Sequence, residues 1–167
     1  SVFRPTHVNR NSMLYKQTIQ FALQGGIIDL TCGMTGSAIP VPQAVKQALD
    51  AGVPLERLTL SSDGNGSMPK FNENNELIGL TAAAPRYLYE EMLSIVKAGV
   101  LPFDKALQLI TCNVADALKL EDKGRIAVGK DADLIVWNDD LTLNKVFARG
   151  RLMVDEGQAV VKGTFEN

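Results

Sequence analysis

Histidine is almost absent from this chain: His7 is the only one among 167 residues. A site assembled mainly from imidazoles of this chain is therefore excluded. Cysteine is nearly as scarce. Cys32 and Cys112 stand far apart and outside any CxxC spacing, so they read as small buried residues of a reducing compartment rather than a disulfide. Basic runs are missing too, and the net charge of −2 argues against a nucleic-acid footprint. No apolar run approaches the length of a membrane span. The opening SVFRPTHVNR lacks the basic, apolar and small-residue layout of a signal peptide. A soluble, cytoplasmic protein is the expectation, with neither nucleic acid nor membrane as partner. There is no initiating Met, and strand-like residues begin almost at once, as though the chain had been cut from something longer.

What is present is globular. Hydrophobic residues make up 46% and charged residues 22%, enough for one ordinary domain with a sizeable core. Helical periodicity recurs in four places. Tyr15, Ile19, Ala22 and Leu23 share one face behind Asn11 or Ser12 as N-cap. Val41, Val45, Ala48 and Leu49 follow Pro40 and Pro42. Leu88, Met92, Ile95 and Val96 follow Pro85, and Phe103, Ala106, Leu107 and Ile110 form a fourth face. A short helix is expected at 113–119. Apolar runs at 2–8, 26–32 and 57–61 lie between these helices, which is the grammar of a parallel sheet with crossover helices. The loop from Asp63 to about Ala84 is far longer than most connections.

From Gly124 the grammar changes to short β-type runs with Gly and Asp turns, an antiparallel meander. We place a boundary near residue 122, giving domains 1–122 and 123–167. Three strand–helix units cannot close a (β/α)₈ barrel, which needs about 250 residues. The first domain is then either a small open α/β sheet or the last part of a barrel.

Three stretches carry candidate chemistry. "SSDGNGS", residues 61–67, has the strongest turn dipeptides and suits a hairpin. Pro69 and the polar KFNENNE beyond it weaken that reading, because no alternating strand follows promptly. An EF-hand loop fails, since Met68 stands where glycine is needed and Asn74 where a bidentate acid is needed. The remaining reading puts Asp63 at the carboxyl end of a parallel strand, the face where α/β folds do chemistry, with glycines admitting a ligand to the backbone. "PTHVNR", residues 5–10, follows the same logic. His7 is either a hydrogen-bonded structural residue or, with Asp63, one of two ligands of a shared metal. Arg10 could clamp a carboxylate through its planar fork. "GRIAVGKD", residues 124–131, nearly matches a phosphate loop, but Asp131 replaces the required hydroxyl and a strand follows instead of a helix. Turn plus strand is the better reading.

Together "PTHVNR", "TLSSDGNGSMP", "KGRIAVGKDADLIVW" and "VFARGRLMVDEGQAVVKGTFE" resemble, in order and across essentially the whole chain, the C-terminal part of isoaspartyl (β-aspartyl) dipeptidases of the amidohydrolase superfamily. The resemblance implies an α/β fold: the last three β/α units of an incomplete TIM-like metallo-dependent hydrolase barrel, followed by a small β-sandwich-type domain. It implies that His7 binds one of two zinc ions, that Asp63 binds zinc and shuttles protons, and that Arg10 and Ser67 hold the carboxylate end of a small dipeptide substrate. The family's other histidines and its bridging lysine have no counterpart here, so the portion alone is expected to be inactive. An incomplete barrel leaves unpaired strand edges and implies a homo-oligomer. Two other classes stay open: a related hydrolase of cyclic amides, and a non-catalytic assembly module.

Overall fold

The computed structural model describes residues 3–34, 38–74 and 76–163 of the chain. Val2, where the first strand is expected to begin, and residues 164–166 of the closing motif lie outside them. The chain divides into two compact units, Ser1–Leu118 and Lys119–Asn167.

The first unit is mixed α/β. Helix α1 (Ser12–Leu23) leads to strand β1 (Ile28–Thr31), helix α2 (Val41–Asp50) and strand β2 (Leu58–Ser61). Strands β3 (Ser67–Phe71) and β4 (Leu77–Ala82) follow, then helices α3 (Tyr87–Lys97), α4 (Phe103–Gln108) and α5 (Cys112–Leu118). The Asn11 side chain caps α1 by accepting from the amides of Met13 and Leu14, which supplies partners that the first turn lacks. Pro42 fits the start of α2, where a missing N–H costs nothing.

Strands β1 and β2 pair in parallel, Ile28 opposite Leu58 and Thr31 opposite Ser61. Side chains alternate across this ladder. Ile28, Leu30, Leu58 and Leu60 are buried in one hydrophobic core with Tyr15 and Ile19 of α1, Val45 of α2, and Met92 and Ile95 of α3. The opposite face carries only polar residues: Asp29 and Thr31 beside Thr59 and Ser61. α5 is fastened to β2 by Asn113, whose amide donates to the carbonyls of Leu55 and Leu58.

Two expectations need correction. Residues 3–7 form no strand. Pro5 has no N–H to give a ladder, His7 takes a left-handed backbone (φ 58°), and Val8–Arg10 is a 3₁₀ turn. One backbone bond, Asp29 N to the Pro5 carbonyl at 3.0 Å, ties this segment to β1. The long loop after Asp63 is also no loop. Strands β3 and β4 form an antiparallel hairpin with Ser67 opposite Ala82. Its turn is made by Asn72, whose side-chain Oδ1 accepts from the amides of Asn74 and Glu76, and not by the Asp-Gly or Asn-Gly steps. Pro69 is tolerated because the sheet has two strands, both of them edges.

Among its described residues the second unit contains a four-stranded antiparallel sheet in sequence order: β5 (Leu134–Trp137), β6 (Leu143–Ala148), β7 (Arg151–Asp155) and β8 (Gln158–Ala159). Arg149–Gly150 and Glu156–Gly157 both have positive φ throughout, the two-residue hairpin geometry that matches strand twist. The phosphate-loop look-alike is a stapled turn. Lys123 Nζ reaches Asp131 (2.7 Å) and Asp133 (2.5 Å), and the Arg149 amide donates to Asp133 at 2.8 Å. Hydrogen bonds from Lys123 hold both carboxyls below the usual carboxylate range.

Both thiols are free. Cys32 is fully buried, and desolvation, then the charges of Glu91 and Asp29, push its thiol pKa up. Among the described residues, no helix is long and apolar enough to cross a membrane.

Candidate metal and substrate site

The carboxyl ends of β1 and β2 gather most of the polar side chains singled out above. His7 lies at the end of β1: its Nδ1 is 2.8 Å from the hydroxyl of Thr31, the last residue of that strand. With Nδ1 engaged, Nε2 is the ring nitrogen left for another partner. The left-handed backbone at His7 turns the chain sharply, and Arg10 N closes that turn on the His7 carbonyl at 3.0 Å.

Asn9 holds this turn in place. It is buried, donates to the carbonyls of Thr31 (3.1 Å) and Ile39 (3.2 Å), and accepts from the Thr31 amide at 2.9 Å. Removing it leaves buried backbone groups without partners, each costing about 1–3 kcal/mol. Asn9→Ala is expected to lower stability by about 2–4 kcal/mol in urea unfolding. A change below about 0.5 kcal/mol would show that the clamp is dispensable.

Asp63 follows the end of β2 by two residues and is half-buried. Residues 63–66 form a tight turn: Gly66 N donates to the Asp63 carbonyl at 2.8 Å, and Asn65 has φ 65°, as a type II turn requires of its third residue. A Cβ on Gly66 would stand 2.9 Å from the Asp63 carboxyl carbon. Glycine there leaves room for the carboxylate to fold back over the turn. The turn is then locked to the hairpin, as Asn65 N donates to Ala83 O and Ala83 N to Gly66 O.

The structure thus sets His7 and Asp63 at the same end of one parallel ladder. Arg10 sits exposed at the end of the 3₁₀ turn beside His7, and Ser67 is exposed at the start of β3, just past the glycine turn. Among the described residues, no three His, Cys, Asp or Glu side chains come together as a metal shell. Thr31 and Asp29 are additions that the strand-end motifs alone do not reveal. The available signal was polar residues at every second position in both strand runs, Asp29 and Thr31, then Thr59 and Ser61.

Residues 38–155 match the amidohydrolase family, and the chain belongs to it. A β-aspartyl dipeptidase from Fervidobacterium islandicum AW-1, solved with a β-Asp-Leu dipeptide, superposes with a TM-score of 0.81 at 32% identity, over 96% of this chain and 42% of that one. An imidazolonepropionase from Anaeromyxobacter sp. (strain K) is 34% identical over 112 residues, 67% of this chain and 22% of its own length. Adenine deaminase 1 from Carboxydothermus hydrogenoformans is 28% identical over 104 residues, 61% of this chain and 17% of its own length. The chain therefore spans about a fifth of the curated relatives' length, and 42% of the dipeptidase.

Proposed function

We propose that this chain supplies the His7–Asp63 side of a zinc-dependent isoaspartyl dipeptidase site, as the C-terminal part of an amidohydrolase barrel and its small β-domain. The supporting observation is the match to the Fervidobacterium dipeptidase across 96% of the chain at 32% identity. The imidazolonepropionase match is similar in identity but covers 67% of the chain, so hydrolysis of a cyclic amide is the second reading.

Members of the family are typically metal-dependent, and the donor set here fits zinc as part of a shell. Nε2 of His7 and the Asp63 carboxylate are both suitable ligands, with Thr31 orienting the ring through Nδ1. In this proposal the remaining ligands come from barrel segments outside the chain. Zinc, when bound, supplies Lewis acidity toward the scissile carbonyl and the attacking water. The chain's own residues do the rest. Arg10 grips the substrate's free carboxylate, and the Ser67 hydroxyl bonds the same end. Asp63 accepts a proton as water adds to the side-chain carbonyl carbon of the aspartyl residue. It returns the proton to the departing amine as the C–N bond breaks. Leu77, Ile78 and Leu80 are exposed on β4, apolar surface that suits the proposed self-association.

A chimera tests the reading. The chain is joined to the part of the Fervidobacterium dipeptidase that it does not match. The zinc-loaded product is assayed on β-Asp-Leu, adenine and imidazolonepropionate. Hydrolysis of β-Asp-Leu at least a hundredfold faster than turnover of the other two is expected. Preference for either of the others would overturn it.

A further inference from the structure

We propose that Asp29 is a positioning residue that sets the separation of His7 and Asp63; this rests on the reading that those two share a metal. Asp29 lies on the polar face of β1, half-buried, with a carboxylate that accepts from hydroxyls on both arms of the site. Its Oδ2 accepts from Thr6 Oγ1 at 2.7 Å and from Ser61 Oγ at 2.5 Å, and its Oδ1 accepts from Thr59 Oγ1 at 2.8 Å. Thr6 immediately precedes His7, and Ser61 stands two residues before Asp63. One oxygen atom thus joins the histidine arm to the acid arm, and the bond to Thr59 fixes the plane of the carboxylate. Neither arm slides past the other without breaking one of these bonds.

The chemistry calls for an acid at this position. An ionised carboxylate is acceptor-only, with room for several donors, whereas an amide offers one acceptor oxygen. Holding the ladder together does not need it. The backbone pairing of β1 with β2 sets the register, and strands of this kind are ordinarily apolar on both faces. A half-buried charge within such a strand is costly, and here its bonds run to the neighbours of the two candidate ligands. Ligand placement matters because zinc accepts nitrogen and oxygen donors only within a narrow distance range. Loss of a residue that orients ligands typically lowers metal affinity 10–100-fold.

The test titrates zinc chloride into the 167-residue chain and follows the ring resonances of its one histidine. Asp63→Ala is expected to weaken binding about tenfold, and Asp29→Asn by a similar factor. In the Asp63→Ala background Asp29→Asn is expected to add nothing, because no second ligand remains to be placed. If Asp63→Ala leaves affinity unchanged, the shared metal is refuted, and the inference with it. If Asp63→Ala weakens binding while a natively folded Asp29→Asn does not, the inference alone is overturned. Equal losses from Asp29→Asn in both backgrounds also overturn it, since they reveal a general structural role. Should Asp29→Asn not fold, Thr6→Val and Ser61→Ala decide. Each is expected to weaken zinc, and Thr6→Ser to restore it; wild-type affinity in both Thr6→Val and Ser61→Ala refutes the proposal.

Discussion

The purified 167-residue chain, supplied with zinc, is expected to hydrolyse β-Asp-Leu no faster than buffer does. The argument is one of ligand count. A catalytic zinc ordinarily holds three protein ligands and keeps one position open, and the chain has a single imidazole. Among the described residues His7 and Asp63 are not joined by a third donor in a ligand cluster. Two donors hold a metal loosely, so the population carrying an activated water is small, and a two-metal clamp on the scissile carbonyl is out of reach. Zinc remaining after dialysis, measured by atomic emission, should fall well below one equivalent, with product formation at the blank rate. Zinc-dependent turnover that follows the chain through successive columns would defeat the proposed division of the site. A silent chain is also what a non-catalytic assembly module would give, and the chimera separates the two readings. A module gains no activity when joined to the unmatched part of the dipeptidase, whereas the proposed half-site does.

The helices were legible in the sequence because each buries one face. Val41, Val45 and Ala48 of α2 recur at helical spacing and are all buried. Elements set by individual polar bonds were less legible. The run 2–8 has the apolar content of a strand, yet among the described residues Pro5 and the left-handed His7 leave it a single backbone bond to β1. The hairpin β3–β4 was hidden because the strongest turn dipeptides lie before it. The residue that reverses the chain is Asn72, through hydrogen bonds that no dipeptide rule weighs. The site divides in the same way. His7 and Asp63 could be proposed as partners because both lie at the ends of strand-like runs, and parallel strands bring such ends to one face. Asp29 could not. Its meaning depends on Thr6, Thr59 and Ser61, which reach it from two other segments of the chain.

Arg10→Ala in the zinc-loaded chimera is expected to lower kcat/KM for β-Asp-Leu by about two orders of magnitude or more. Arg10 is exposed at the end of the turn that begins at His7, three residues beyond that proposed ligand in the chain. A planar fork makes two parallel hydrogen bonds to a carboxylate, each worth about 1.5–3 kcal/mol when charge-assisted. At 1.4 kcal/mol per tenfold, loss of the pair costs at least about a hundredfold. Lysine keeps the charge but has no fork, so Arg10→Lys should recover part of the loss and no more. Zinc content should be the same in all three proteins, because Arg10 is not a ligand. The decisive comparison sets the dipeptide against its C-terminal amide. The unsubstituted chimera should strongly prefer the free carboxylate, while Arg10→Ala should barely distinguish the two. If Arg10→Ala retains the full preference, the carboxylate is held elsewhere. Ser67, exposed just past the glycine turn that carries Asp63, is then the residue to replace next.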